Sequence, residues 1–107
     1  MDELVQRLAE GDHPVTVNRY KSVEELKQSI ERGYTLIKFT DTRGGTELGV
    51  RLDNTLTNVS GGDFAQSTGT VHLAGNLTLN YVKVRCVADV DLATMEGKGH
   101  LEVLEEA

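Results

Sequence analysis

Cysteine occurs once, at Cys86, so no intrachain disulfide can form and packing alone must hold the chain. Tryptophan is absent and aromatic residues make up 5% of the sequence, which leaves Leu, Val and Ile to build the core. The aromatics, Tyr20, Tyr34, Phe39, Phe64 and Tyr81, stand singly, with no stacking platform for bases and no sugar-binding shelf. Basic clusters are missing too: 11 Lys and Arg meet 17 Asp and Glu, for a net charge of −6. That balance argues against nucleic acid and against an anionic membrane surface as partners. No apolar run approaches the length of a membrane span, and the opening MDELVQRLAEGDH lacks the apolar middle of a signal peptide. Together these absences predict a cytoplasmic protein. His13, His72 and His100 sit at no metal-ligand spacing, so neither a metal nor another cofactor is expected.

At 107 residues the chain is a single domain, 1–107, with one core. The stretch Leu77–Leu92, LTLNYVKVRCVADVDL, is its longest run of strand-forming residues. Apolar residues fall at odd positions in Leu77, Leu79 and Tyr81, then at even positions in Val82, Val84, Cys86, Ala88 and Val90. Side chains alternate along a strand, so this slip demands either a bulge near Tyr81 or a strand that serves two apolar surfaces.

Met1–Glu10 reads as a short helix with Leu4, Val5 and Leu8 on one stripe, ended by Gly11 and the only proline, Pro14. Pro14–Tyr20 reads as an edge strand. Ser22–Gly33 is the stronger helix. Ser22 caps it, Glu25 completes a capping box, Val23, Leu26 and Ile30 form the buried stripe, and Gly33 is the left-handed stop. Tyr34–Asp41 and Thr46–Asp53 pair around a Thr42–Gly45 loop, which sets Phe39 opposite Leu48, Ile37 opposite Val50 and Thr35 opposite Leu52. Asn54–Thr68 is the least regular segment, anchored by Leu56, Val59 and Phe64, with Asp63–Gln66 as one helical turn. Gly69–Ala74 is a strand that turns through Ala74-Gly75-Asn76 and pairs Leu73 with Leu77. Gly99–Leu104 returns with Leu101 opposite Val90 and Val103 opposite Ala88. The fold class is therefore α+β: two N-terminal helices on a five- to six-stranded, mainly antiparallel, strongly twisted sheet. A partly closed β-barrel with flanking helices is the alternative.

Candidate chemistry is sparse. The last hairpin's register brings His100 opposite Asp91, a pair able to orient an imidazole but with no nucleophile beside it. His72 falls near Thr78. Cys86 lies on the apolar parity and reads as a small buried hydrophobe. Thr42–Thr46 has glycines and Arg43 but lacks the lysine and following helix of a phosphate loop. The most ordered charge pattern is Lys83 and Arg85 followed by Asp89 and Asp91 along one face of the long ribbon. Segregated ends of this kind suit head-to-tail pairing of two copies.

These features predict a non-enzymatic protein-binding or accessory module that acts through its sheet surface, as a homodimer. Lys83, Arg85, Asp89, Asp91, His100 and Phe64 are its candidate binding residues. The alternative is a small-molecule pocket, enzymatic or not, with segment 54–68 as its lid and Phe64 on the lid. A third reading is an acidic protein that shields a basic partner.

Overall fold

The stretch Leu77–Leu92 is two strands, and the parity slip within it is a hairpin turn. The structure, a computed structural model, describes residues 2–106. Asn80 and Tyr81 both adopt positive φ, 49° and 69°, the combination a type I′ turn requires. Leu79 then pairs with Val82, so the residues on either side of the turn share one face although their numbering changes parity. Neither a bulge at Tyr81 nor a second apolar surface is needed. A bulge does occur across the sheet. Val84 pairs with Val103 but Lys83 pairs with Glu105, so Leu104 is an extra residue.

The elements run α1 (Glu3–Ala9), β1 (His13–Thr16), α2 (Val23–Glu31), β2 (Tyr34–Phe39), β3 (Thr46–Leu52), β4 (Gly62–Asp63), β5 (Thr68–Leu79), β6 (Val82–Asp91) and β7 (Glu96–Glu106). The fold is α+β, with two short helices and a large antiparallel sheet of seven strands where five to six were expected. Strand order is β3-β2-β1-β7-β6-β5-β4, and β3 also pairs with β5. The sheet thus curls until its ends meet, through a seam of two pairs, Arg51 with Asn76 and Leu52 with Gly75.

Both helices follow from their caps. Asp2 accepts from the amides of Leu4 and Val5 at the start of α1. Ser22 accepts from Glu25 at the start of α2, and Glu25 accepts in turn from the amide of Lys21. Gly33 ends α2 at φ 79°. A relay then ties α2 to β2. The Leu36 amide donates to Tyr20 Oη, Tyr20 donates to Ser29 Oγ, and Ser29 donates to the Tyr34 carbonyl. It serves backbone groups that the four-residue β1 is too short to reach.

Strand β1 is interior, between β2 and β7, and not an edge. Pro14 is accommodated near the start of β1, where its carbonyl accepts from the Thr40 amide and its missing N–H falls past the last pair between β1 and β2. The β2–β3 loop is longer than expected. Phe39 pairs with Thr46, Ile37 with Leu48 and Thr35 with Val50, two residues from the predicted register but with the same face inward. Gly75 and Asn76 lie inside β5 and not in a turn, so Leu73 pairs with Ala88 and not with Leu77. In the last hairpin the turn comes earlier than expected, and Leu101 meets Cys86 while Val103 meets Val84.

One core collects these inward faces. Val15, Ile37, Phe39, Val50, Val71, Leu73, Val84, Val90 and Leu101 come from the strands, and Val5, Leu8 and Leu26 from the helices. Each fully buried side chain of this kind contributes roughly 1.5–3 kcal/mol. Segment 54–68 adds little to that core and instead follows the edge of β5. Asn58 bridges His72, Asp53 donates to the Ala74 carbonyl, and Gly62 and Asp63 form β4. Asp63 accepts from Gln66 in a turn and not a helix.

The seam fails if its closest contact is widened. A Cβ on Gly75 would lie 2.1 Å from the Arg51 carbonyl oxygen. Gly75→Ala is expected to cost about 2 kcal/mol or more, since a backbone, not a flexible side chain, must move. Urea unfolding followed by circular dichroism measures it.

Candidate interaction surface

The predicted charged residues are real surface residues, but they do not form one stripe open to a partner. Lys83 and Arg85 look across to β7, where Glu105 and Glu102 lie 3.6 and 3.5 Å away. Asp89 accepts from His72 Nδ1 at 2.8 Å. Asp91 closes its own turn by accepting from the Ala93 amide. His100 does not face Asp91. It sits opposite Val87, with Asp12 at 3.4 Å and Glu102 at 3.3 Å. His72 is far from Thr78 for the same reason, a register different from the expected one. Exposed pairs of this kind are worth about 0–1 kcal/mol each, so the face is balanced more than it is braced. Asp89, Asp91 and His100 share a groove of about 310 Å³ with Asp12, Glu96 and Lys98. Phe64 is half-buried against the core, and segment 54–68 is bonded to β5, so it does not hang over a cavity as a lid.

A larger groove of about 670 Å³ opens where β3 and β5 part beyond their seam. Tyr34, Leu48, Gly49, Arg51, Leu77, Thr78, Lys83 and Leu104 are among the residues lining it. Tyr34 lies across Gly49. A Cβ there would fall 2.0 Å from the phenol oxygen, so the ring occupies the space a side chain would fill. Around this end the chain leaves apolar side chains in water: Tyr34 is 49% exposed, Val103 36%, Leu104 45% and Tyr81 84%. Val103 pairs with Val84 on the groove wall, and Tyr81 tips the hairpin that carries Thr78 and Lys83. An apolar rim on an open groove is the geometry of a protein contact.

The model of one family, core binding factor beta subunit, matches residues 1–107, the whole chain. The chain belongs to that family. It is a family of protein-interaction subunits, and a protein partner is therefore its ordinary context. No curated protein matches the chain.

For this core binding factor beta family member, sequence reasoning singled out Lys83, which lines the groove, and did not single out Tyr34, Arg51 or Leu104, which line it too. Two signals were present: a tyrosine on the outward parity of β2 with a glycine diagonally across from it in β3, and an aliphatic pair, Val103-Leu104, of which one residue must leave the core.

The most buried histidine lies elsewhere and holds the fold. Nδ1 of His13 meets Asp41 Oδ2 at 2.8 Å and Nε2 meets the Glu10 carbonyl at 2.9 Å. Both ring nitrogens face acceptors, an arrangement that favours the doubly protonated imidazolium over the neutral ring. It fastens the end of α1 to the β2–β3 loop, helped by Arg7, which donates to the Asp41 carbonyl. Cys86 is fully buried, and burial pushes its thiol up to about 12, which keeps it un-ionised.

Asp41 raises the His13 pKa, against the effect of burial, and the Glu10 carbonyl adds to the rise. A raised pKa contributes stability that is fully present below the unfolded value of about 6.5 and is lost as pH climbs through the folded value. Stability to urea is expected to fall as pH rises from 6 to 8, and Asp41→Asn is expected to flatten that slope.

Proposed function

We propose that the chain is a cytoplasmic, non-enzymatic protein-binding subunit that meets its partner through the open end of its sheet. The observation that carries this reading is the set of uncovered apolar side chains, Tyr34, Tyr81, Val103 and Leu104, at the open end of the sheet, where Tyr34 and Leu104 line the groove between β3 and β5. Membership in a family of beta subunits supports it. The net charge of −6 and the internal pairing of Lys83 and Arg85 leave no broad cationic surface for nucleic acid.

Tyr81 adds a second line of support. An exposed tyrosine at φ 69° occupies a position that costs a non-glycine residue about 1–2 kcal/mol. Strain of this kind persists where the side chain has work to do.

The test is reconstitution of a complex from the purified chain and the protein that co-purifies with it from its native cell. Leu104→Asp is expected to weaken the complex about tenfold or more, equal to roughly 1.4 kcal/mol, without lowering the melting temperature. Lys98→Glu, on the polar face, is expected to leave it unchanged. Sedimentation of the isolated chain separates this reading from a homodimer that buries the same four residues. Equal binding by Leu104→Asp and wild type overturns the reading. Tyr81→Gly is expected to stabilise the isolated chain by about 1 kcal/mol, measured by urea unfolding, and to weaken the complex.

A further inference from the structure

The seam of the sheet is half unzipped, and its two free lips face each other. Asp53 donates its amide to the Ala74 carbonyl, and Asn58 and His72 exchange two backbone bonds, all at 2.8 Å. Backbone groups alternate sides along a strand, so odd residues of β3 and even residues of β5 aim theirs at the seam. Arg51 and Asn76 use theirs on each other. The same register would place Gly49 opposite Thr78, but the strands diverge there and the groove of about 670 Å³ lies between them. The β3–β5 register ends at Arg51 and Asn76, so no strand pair between β3 and β5 takes up the groups of Glu47, Gly49 and Thr78 that aim at the gap. Two core residues, Leu48 and Val84, line the groove, so the gap reaches the inner face of the sheet.

The charge in the gap is unlike that of the chain as a whole. Arg51 has no carboxylate within 4.0 Å among the described residues. Lys83 has only its exposed contact with Glu105, and Glu47 is already held by Arg19 at 3.3 Å. A cationic slot therefore stands in a chain of net charge −6.

We propose that the groove receives an extended, acidic segment of the partner protein as an added strand between β3 and β5. The inference rests on the reading of this chain as a protein-binding subunit and specifies how the partner is held. The inserted backbone pairs with Gly49 and Glu47 on one side and with Thr78 on the other. Alternate side chains point inward onto Leu77 and Val84, and a carboxylate meets Arg51 and Lys83. The free lips accommodate roughly four residues at about 3.3 Å per residue. Main-chain pairing supplies affinity in such a contact, and the side-chain pockets supply selectivity.

The probe is a seven-residue peptide that alternates Val and Glu, titrated into the full chain labelled with ¹⁵N. Two control peptides accompany it, one with Lys for Glu and one with alternate backbone nitrogens methylated. The Val-Glu peptide is expected to shift the amide signals of Glu47, Gly49 and Thr78 and to slow their hydrogen exchange. Methylation and the Lys peptide are each expected to weaken binding about tenfold or more. Arg51→Glu is expected to reverse the preference between the Glu and Lys peptides. Thr78→Pro removes one gap-facing N–H without touching the β5–β6 ladder and is expected to abolish the shifts. If that variant does not fold, the methylated peptide and Arg51→Glu carry the same question. Shifts confined to the Asp89 face, or equal binding of all three peptides, overturn the inference. A reconstituted complex that Leu104→Asp breaks but Arg51→Glu and Thr78→Pro leave intact also overturns it, while the protein-binding reading stands.

Discussion

Backbone hydrogen bonding between β3 and β5 is the constraint on which the shape depends. Two residue pairs turn an open sheet into a closed circuit of six strands, with β4 as a short flank. Closure brings the inner faces of all six together, so a sequence with few aromatics can still enclose one continuous aliphatic core. It also hides most strand edges, which would otherwise pair with other chains. The contact is possible because Gly75 presents no side chain where the Arg51 carbonyl passes. The helices need only fill what remains, and α1 and α2 do so with Val5, Leu8 and Leu26.

The same seam separates the two surfaces of the molecule. Where it is zipped, segment 54–68 continues the pairing along β5 and seals the edge. Where it stops, the wall opens and apolar side chains reach water. The outer face of β5, β6 and β7 is a different kind of surface. Its charges meet one another in Lys83 with Glu105, Arg85 with Glu102 and Asp89 with His72, and they keep that face soluble. Charge pattern alone pointed to this face as the binding surface. In the structure those charges are paired among themselves, and the uncovered apolar side chains lie at the open end of the sheet.

Much of the fold was legible because local signals there have one meaning. Ser22 with Glu25 and Gly33 bracket a helix whatever it packs on, and α2 lies where they place it. Parity in β2 and β3 identified the inward residues even though the register was off by two, because an even error leaves every side chain on its own face. Ambiguous signals failed. Gly75-Asn76 has the composition of a turn, but this glycine serves a close approach between strands distant in sequence. Asn80-Tyr81 is the turn, and tyrosine at positive φ is too rare for a sequence to announce it. His100 was paired with the wrong carboxylate because the final turn, Leu92–Met95, begins earlier than Thr94 suggests. The groove was not legible at all, since it lies where two strands distant in sequence stop pairing.

Cys86 sits at the middle of β6, opposite Gly75 of the seam on one side and Leu101 on the other. No reagent reaches its sulfur while the circuit is shut, and the un-ionised thiol is a poor nucleophile even if touched. The rate at which an alkylating agent modifies the native chain therefore reports how often the wall of the molecule breathes open. This single atom is a built-in clock for that opening, in a chain that has no tryptophan to report it by fluorescence.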